Sequence, residues 1–237
     1  MTLNKNLLMI DTSNEYLVLA ARNKNGNEAF FKEKIGNKQS EYILPQISNI
    51  LNDCQLVVAD LELIAYNQGP GSFTGLRIGA SVALSLAYSN NCQLLPLPAF
   101  AGYLEPMTDC GKNNAIITLD ARLGQIYVAG YSLDKLIPLI PPCLINPEQL
   151  VSLLQQHQLT AENTAISANG LLPYPVVASD SYLAQFTQPQ VDYPDGKTWL
   201  TVIDSGCYSS CNWQDGDLLY LRNKVALNLA EQLQARK

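Results

Sequence analysis

The sequence predicts an α/β fold of duplicated design, with two lobes. Two stretches carry the duplication. LLMIDTSNEYLVLAA at 7–21 and AIITLDARLGQIYVAGY at 115–131 share one pattern: an apolar strand closing on an aspartate, a short polar turn, and a second apolar strand. Asp11 and Asp120 occupy the same place in the two copies. The order of patterns along the first hundred residues is the second observation, because short apolar runs alternate there with longer helical periodicities. Size is the third: 237 residues at 47% hydrophobic content can fill one large domain or two small ones, each with a core.

Taken in order, LLMIDTS at 7–13 reads as a buried strand, and EYLVLAAR at 15–22 and EAFFKEKI at 28–35 as two more, separated by the turn NKNGN. SEYILPQISNILNDC at 40–54 reads as an amphipathic helix, with Ile43, Ile47, Ile50, Leu51 and Cys54 at helical spacing. Ser40 is its expected N-cap, and Pro45 fits only near the first turn. LELIAYN at 61–67 is a strand, the loop and helix at 67–89 follow, and QLLPLPA at 93–99 closes the first unit. The boundary is expected near 100–112, giving a first lobe at 1–105 and a second at 106–217. After the repeat come a proline-rich stretch at 136–147, a helix at 147–159 and a strand at 164–169. Residues 170–217 are hard to read, with a helical pattern in TWLTVIDSGCYSSC. A strand LLYLR at 218–222 and a helix at 225–236 are expected to return to the first lobe.

Composition narrows the function classes. The net charge of −6, from 15 Lys+Arg against 21 Asp+Glu, gives no cationic field for free nucleic-acid binding. No apolar run reaches the roughly 18 residues of a membrane span. The apolar run near the start is too short for a signal peptide, so cytoplasm is the expected compartment. Six dispersed cysteines contain no C-x-x-C pair, and reduced thiols are expected rather than a zinc site, although Cys207 and Cys211 have the spacing of one helical face. A single histidine, His157, excludes H-x-x-x-H and H-E-x-x-H metal motifs, and its place late in a helix points to a solvated helix end.

The stretch NQGPGSFTGLRIGASVALSLAY at 67–88 raises a choice between anion and protein binding. A glycine-rich turn before a helix can cradle phosphate. Here, though, the segment has no lysine, Gly69, Gly71 and Gly75 miss the G-x-G-x-x-G spacing by one residue, and Pro70 lacks an N–H. Ser72 and Thr74 are expected to cap the helix, and Gly69 and Gly71 to supply backbone angles other residues resist. Pro70 at the second position of a type II turn would place Gly71 at positive φ. In the helix, Gly75, Gly79, Ala83 and Ala87 form a ridge of small residues. That ridge packs against the home sheet or admits a partner helix. The partner alternative, with Ile43, Ile47 and Ile50 completing the surface, implies that Gly79→Leu and Ala83→Leu harm partner binding more than folding. Among single residues, Asp11 is read as capping its turn through Ser13, Asp120 and Arg122 as pairing locally or serving the cleft, and Arg77 as bridging a surface acid or lying at a nucleotide or partner interface.

GPGSFTGLRIG at 69–79 resembles the signature of the TsaB (YeaZ) family. MIDTS at 9–13, QSEYILPQISNIL at 39–51, LDARLGQIY at 119–127 and YLR at 220–222 resemble its other segments, with Gln39 where a histidine and Gln125 where an acid is usual. The match is dense over 1–131 and thin over 132–217. The resemblance implies the duplicated RNase H-like fold of the actin, Hsp70 and sugar-kinase group (ASKHA) with the second lobe reduced, a group in which acids at the two hairpins organise a metal-nucleotide. Asp11, Thr12, Ser13 and Asp120 stand in those places as a vestigial cleft. It also implies an accessory subunit with no catalytic residues, no metal and no cofactor of its own. Such a subunit joins a TsaD-type transferase and a TsaE-type ATPase in forming N6-threonylcarbamoyladenosine at position 37 of transfer RNAs, with ATP and metal held by the partners. On this implication tRNA is met only through the complex, and the free chain forms a homodimer. The alternatives are a weak nucleotide-binding enzyme of the same fold or a degenerate metalloprotease-like protein.

Overall fold

The structure, a computed structural model, describes residues 4–134 and 136–222, so the helix expected at 225–236 lies outside the described residues. Strands β1 (Leu7–Asp11), β2 (Tyr16–Arg22) and β3 (Glu28–Lys34) form an antiparallel meander. Helix α1 (Gln39–Asp53), β4 (Leu63–Gly69), α2 (Phe73–Asn90) and β5 (Gln93–Pro98) follow, and β4 and β5 add parallel to β1. The order is β3-β2-β1-β4-β5. β1 is central and buried on both faces, which explains its unbroken apolar run. Its period of two sends Leu8 and Ile10 towards α1 and α2, and Leu7 and Met9 to the other face.

The second unit repeats this plan. After α3 (Leu104–Thr108) come β6 (Asn114–Arg122), β7 (Gln125–Ser132), β8 (Pro138–Ile145), α4 (Leu150–Gln156) and β9 (Thr164–Ile166). They pair in the order β8-β7-β6-β9, with β9 parallel to β6. β6 to β9 therefore stand where β1 to β4 stand in the first sheet, and the counterpart of β5 is missing among the described residues. The duplication reaches the turns: Ser13 N–H donates to Asp11 Oδ1 at 2.9 Å, and Arg122 N–H to Asp120 Oδ1 at 2.8 Å. The proline-rich stretch is β8, an edge strand, where the missing N–H of Pro141 and Pro142 is tolerated.

Helices α5 (Pro175–Ala178) and α6 (Gly196–Asp204) complete the fold. α6 packs Trp199, Leu200, Val202 and Ile203 onto the free face of the first sheet. It is also tied there by Arg22, whose guanidinium donates to both oxygens of Asp204 at 2.7 and 2.8 Å. Phe100, Tyr103, Leu104 and Met107 pack on the second sheet. The chain crosses to the second sheet at Phe100, within the expected 100–112, but is back on the first at α6, well before the expected 217. LLYLR forms no strand. α1 begins at Gln39, with Lys38 before it and no side-chain cap, so Ser40 lies within the first turn and Pro45 inside the helix. Cys207 and Cys211 lie beyond the end of α6 rather than on a helical face, Cys211 pairs its backbone with Leu94 to cover the β5 edge, and all six thiols are free.

Burial raises the pKa of Tyr66 and Tyr131 to about 12, and pushes Tyr103, Tyr193 and Tyr208 up as well. Unfolded tyrosine ionises near pH 10. These raised values contribute stability that is complete below about pH 10 and is lost as pH rises towards about 12, because only the folded chain still holds the protons there. Alkaline titration followed by tyrosinate absorbance and circular dichroism should show these rings ionising together with unfolding. Ionisation of every tyrosine near pH 10 with the fold intact would contradict it.

Candidate functional site

The loop that opens α2 is spent on the protein's own backbone. Gly69 sits at φ +110° before a cis Gly69–Pro70 peptide, and its N–H donates to Asn67 Oδ1 at 2.9 Å. Ser72 N–H donates to Ser13 O at 2.6 Å, and Ser72 Oγ accepts Gly75 N–H at 3.3 Å as the helix N-cap. Thr12 Oγ1 donates to Gly75 O at 2.7 Å. The loop is therefore clasped to the Asp11–Thr12–Ser13 turn, and three of its N–H groups are already engaged. Thr74 is exposed and does not cap. Gly71 is required for a different reason from the one expected: positive φ belongs to Gly69, while a Cβ on Gly71 would lie 2.5 Å from Ser13 O.

The small ridge faces the home sheet. A Cβ on Gly75 would meet Thr12 O at 2.0 Å and one on Gly79 would meet Thr12 Oγ1 at 2.3 Å, while Ala83 and Ala87 are fully buried. Ile43, Ile47 and Ile50 are in the same core. All seven residues expected at a partner interface are thus internal, because the glycines let α2 lie directly on the end of β1. The outer faces of α1 and α2 carry other residues. Leu44 is 57%, Phe73 39% and Tyr88 66% exposed. Ile78 and Val82 are half-buried beside a groove of about 460 Å³ that Leu44 and Phe73 also line.

Between the lobes lies a cleft of about 840 Å³, lined by Asp11, Ser13 and Asp120, among others. The residues expected to form a vestigial nucleotide site do not share one environment. Asp120 is exposed and lines the cleft, with Oδ1 accepting the Arg122 N–H. Asp11 is fully buried, and both carboxyl oxygens are occupied: Oδ1 by Ser13 N–H, Oδ2 by Tyr193 O–H at 2.7 Å and Trp199 Nε1–H at 3.1 Å. Tyr193 has one hydroxyl proton, given to Asp11, so the 2.9 Å contact with Ser13 Oγ is donated by the serine. Its ring stacks on Tyr16 and meets Tyr103 edge-on. Burial and the nearby Asp11 raise the Tyr193 pKa, keeping the phenol a donor. A metal-nucleotide needs open carboxylate oxygens at this turn, and Asp11, Thr12 and Ser13 do not offer them. Among the described residues no three metal-ligating side chains cluster.

Tyr193 and Trp199 are not legible in the sequence as partners of Asp11, since they lie 182 and 188 residues from it, although Trp199 falls in the segment with the helical pattern. Gln39 is 6% exposed and donates through Nε2 to Asn14 O at 2.6 Å, so it ties α1 to the first hairpin. Gln125 Nε2 reaches Asn146 Oδ1 at 3.4 Å. His157 is exposed at the end of α4, as its position suggested. No helix among the described residues is long and apolar enough to cross a membrane.

A family model described as TsaD, tRNA N6-adenosine threonylcarbamoyltransferase, matches residues 33–193, more than half of the chain. Proteins called tRNA threonylcarbamoyladenosine biosynthesis protein TsaB are similar in sequence. That of Haemophilus influenzae is 27% identical over 64% of this chain and 69% of its own length. Those of Bacillus subtilis and Escherichia coli are 33% and 31% identical, over 56% and 54% of this chain and 59% and 56% of theirs. The chain thus spans little more than half the length of these last two relatives. The solved structure of YeaZ from Pseudomonas aeruginosa shares the fold, with a TM-score of 0.76 at 20% identity over 92% of this chain and 100% of that one. With the duplicated sheets and the GPGSFTGLRIG loop clasped to the first hairpin, these matches place the chain in the TsaB (YeaZ) family.

Proposed function

We propose that this chain acts in tRNA threonylcarbamoyladenosine biosynthesis as a non-catalytic subunit that binds a TsaD-type transferase through the outer faces of α1 and α2. The observation that carries this reading is the apolar groove between those helices, with Leu44 and Phe73 exposed on its walls. Apolar side chains gathered around a groove are costly to leave in water and mark a protein contact. The state of Asp11 supports the non-catalytic part, since the acid at the first hairpin is consumed by Tyr193 and Trp199. On this reading ATP and metal belong to the partners, a TsaE-type ATPase joins as a third component, and tRNA is met only through the complex. The free chain pairs with itself through the same groove, and the assembly works in the cytoplasm.

Leu44→Asp and Ser81→Arg test the face, because both residues line the groove and are exposed. Each should weaken co-elution with the TsaD-type protein by about tenfold or more. The melting temperature should stay unchanged, as surface substitutions usually shift stability by within ~0.5 kcal/mol. The chain alone should show no threonylcarbamoyl transfer, proteolysis or robust ATP hydrolysis. Undiminished binding by both variants would remove the face. Turnover by the partner-free chain that Asp120→Ala abolishes would restore the enzyme reading.

A further inference from the structure

We infer that Asp217–Arg222 is an interlobe strap that crosses the mouth of the cleft and sets how far the two lobes can part. The segment is fastened to the first lobe along its length. Tyr66 O–H donates to Asp217 O at 2.7 Å, Leu219 N–H donates to Gln68 O at 2.7 Å, and the Tyr220 ring lies 5.6 Å from that of Phe73. Arg77 locks this corner: its guanidinium lies 3.7 Å over the Phe73 ring, and its Nε donates to Tyr220 Oη at 3.1 Å. Two residues later the chain is on the second lobe. Leu221 packs into the apolar cluster of the second sheet, and Arg222 Nη2 donates to Ala121 O at 3.0 Å and Arg122 O at 3.2 Å.

The Ala121 carbonyl is available for a local reason. The β6–β7 ladder slips between Asp120 and Arg122, and the following turn holds Arg122 and Leu123 at φ +59° and +52°. The bulge leaves Ala121 without a partner in the β7 register, so its carbonyl is satisfied by another donor, while Arg122 still pairs with Gln125. Arg222 is that donor, and it reaches the hairpin that carries Asp120. At the base of the cleft the lobes are already joined by Phe100–Met107 and α6, so a fastening at the mouth adds a second, separate point of closure. Its first-lobe anchor is Phe73, which lines both the cleft and the α1–α2 groove. Displacing Tyr220 from Phe73 would therefore release the second lobe.

Amide hydrogen exchange on the full chain tests the strap with Arg222→Ala, Tyr220→Ala and the double variant. A strap works only when both ends hold. Arg222→Ala should therefore speed exchange of the Leu219 amide, on the other lobe, by about tenfold to a hundredfold, the range for losing a hydrogen bond to a charged group. Tyr220→Ala should do likewise for the 120–125 hairpin, and the double variant should be no looser than either single one. The rest of both sheets should exchange as in the parent chain. If Arg222→Ala changes only the hairpin, or the two effects add, the contacts are independent and the strap is refuted. A uniform rise across both sheets would mean general destabilisation and would also refute it. Arg222→Ala keeps the test open if Tyr220→Ala fails to fold, since Arg222 is only half-buried.

Discussion

Asp11→Ala should destabilise the protein by about 2–5 kcal/mol, because it strands donors in the core rather than emptying a catalytic site. The carboxyl group accepts from Ser13 N–H, Tyr193 O–H and Trp199 Nε1–H, and alanine leaves all three without their acceptor, with Trp199 fully buried. Each stranded buried donor costs roughly 1–3 kcal/mol, and Tyr193 is partly relieved because Ser13 Oγ can turn to accept from it. For a chain of this size the loss appears as a fall of about 5–15 °C in melting temperature. α6 should loosen first, since Asp11 and the Arg22–Asp204 pair are what fasten it to the first sheet. Hydrogen exchange should localise the damage to 193–204. A variant that melts like the parent chain, losing only a ligand-dependent signal, would return Asp11 to the cleft.

Gly75→Ala and Gly79→Leu are expected to damage folding, with loss of partner binding only as a consequence. In an open helix, alanine for glycine would help by about 1 kcal/mol. Here the new Cβ at 75 meets a backbone carbonyl, Thr12 O, at 2.0 Å, and nothing short of shifting α2 or the β1 turn relieves it. Overpacking of this kind costs about 1–3 kcal/mol and sometimes more, so the clash outweighs the propensity gain. At 79 the nearest atom is the Thr12 hydroxyl, 2.3 Å away, which a rotamer change could move only by breaking its bond to Gly75 O. Gly79→Ala should therefore be the milder change, and Gly79→Leu, with three more carbons at the same spot, the severe one. Urea unfolding ranks them. Parent-like stability in Gly75→Ala, or loss of partner affinity in Gly79→Leu at unchanged stability, would put the ridge back on the surface.

By itself the sequence determined the architecture and the family. Both are written in local patterns: the strand–aspartate–turn–strand motif twice over, the period-two and helical repeats that set the order of elements, and the uninterrupted GPGSFTGLRIG segment. It also narrowed the small-residue ridge to two faces, home sheet or partner, since spacing alone shows that something approaches α2 closely. Which of the two it is was decided only by tertiary structure, because contact between Gly75 and Thr12 depends on how α2 is laid across β1, over 60 residues of separation. The same is true of Asp11. Its place at a strand end is legible, and so is the helical pattern around Trp199, but that Tyr193 and Trp199 meet Asp11 across 182 and 188 residues is written in no local period. LLYLR at 218–222 reads as a strand but forms none, because alternating apolar residues look alike whether a chain pairs in a sheet or runs between two lobes. Periodicity reports which residues are buried. What they are buried against is a property of the assembled chain.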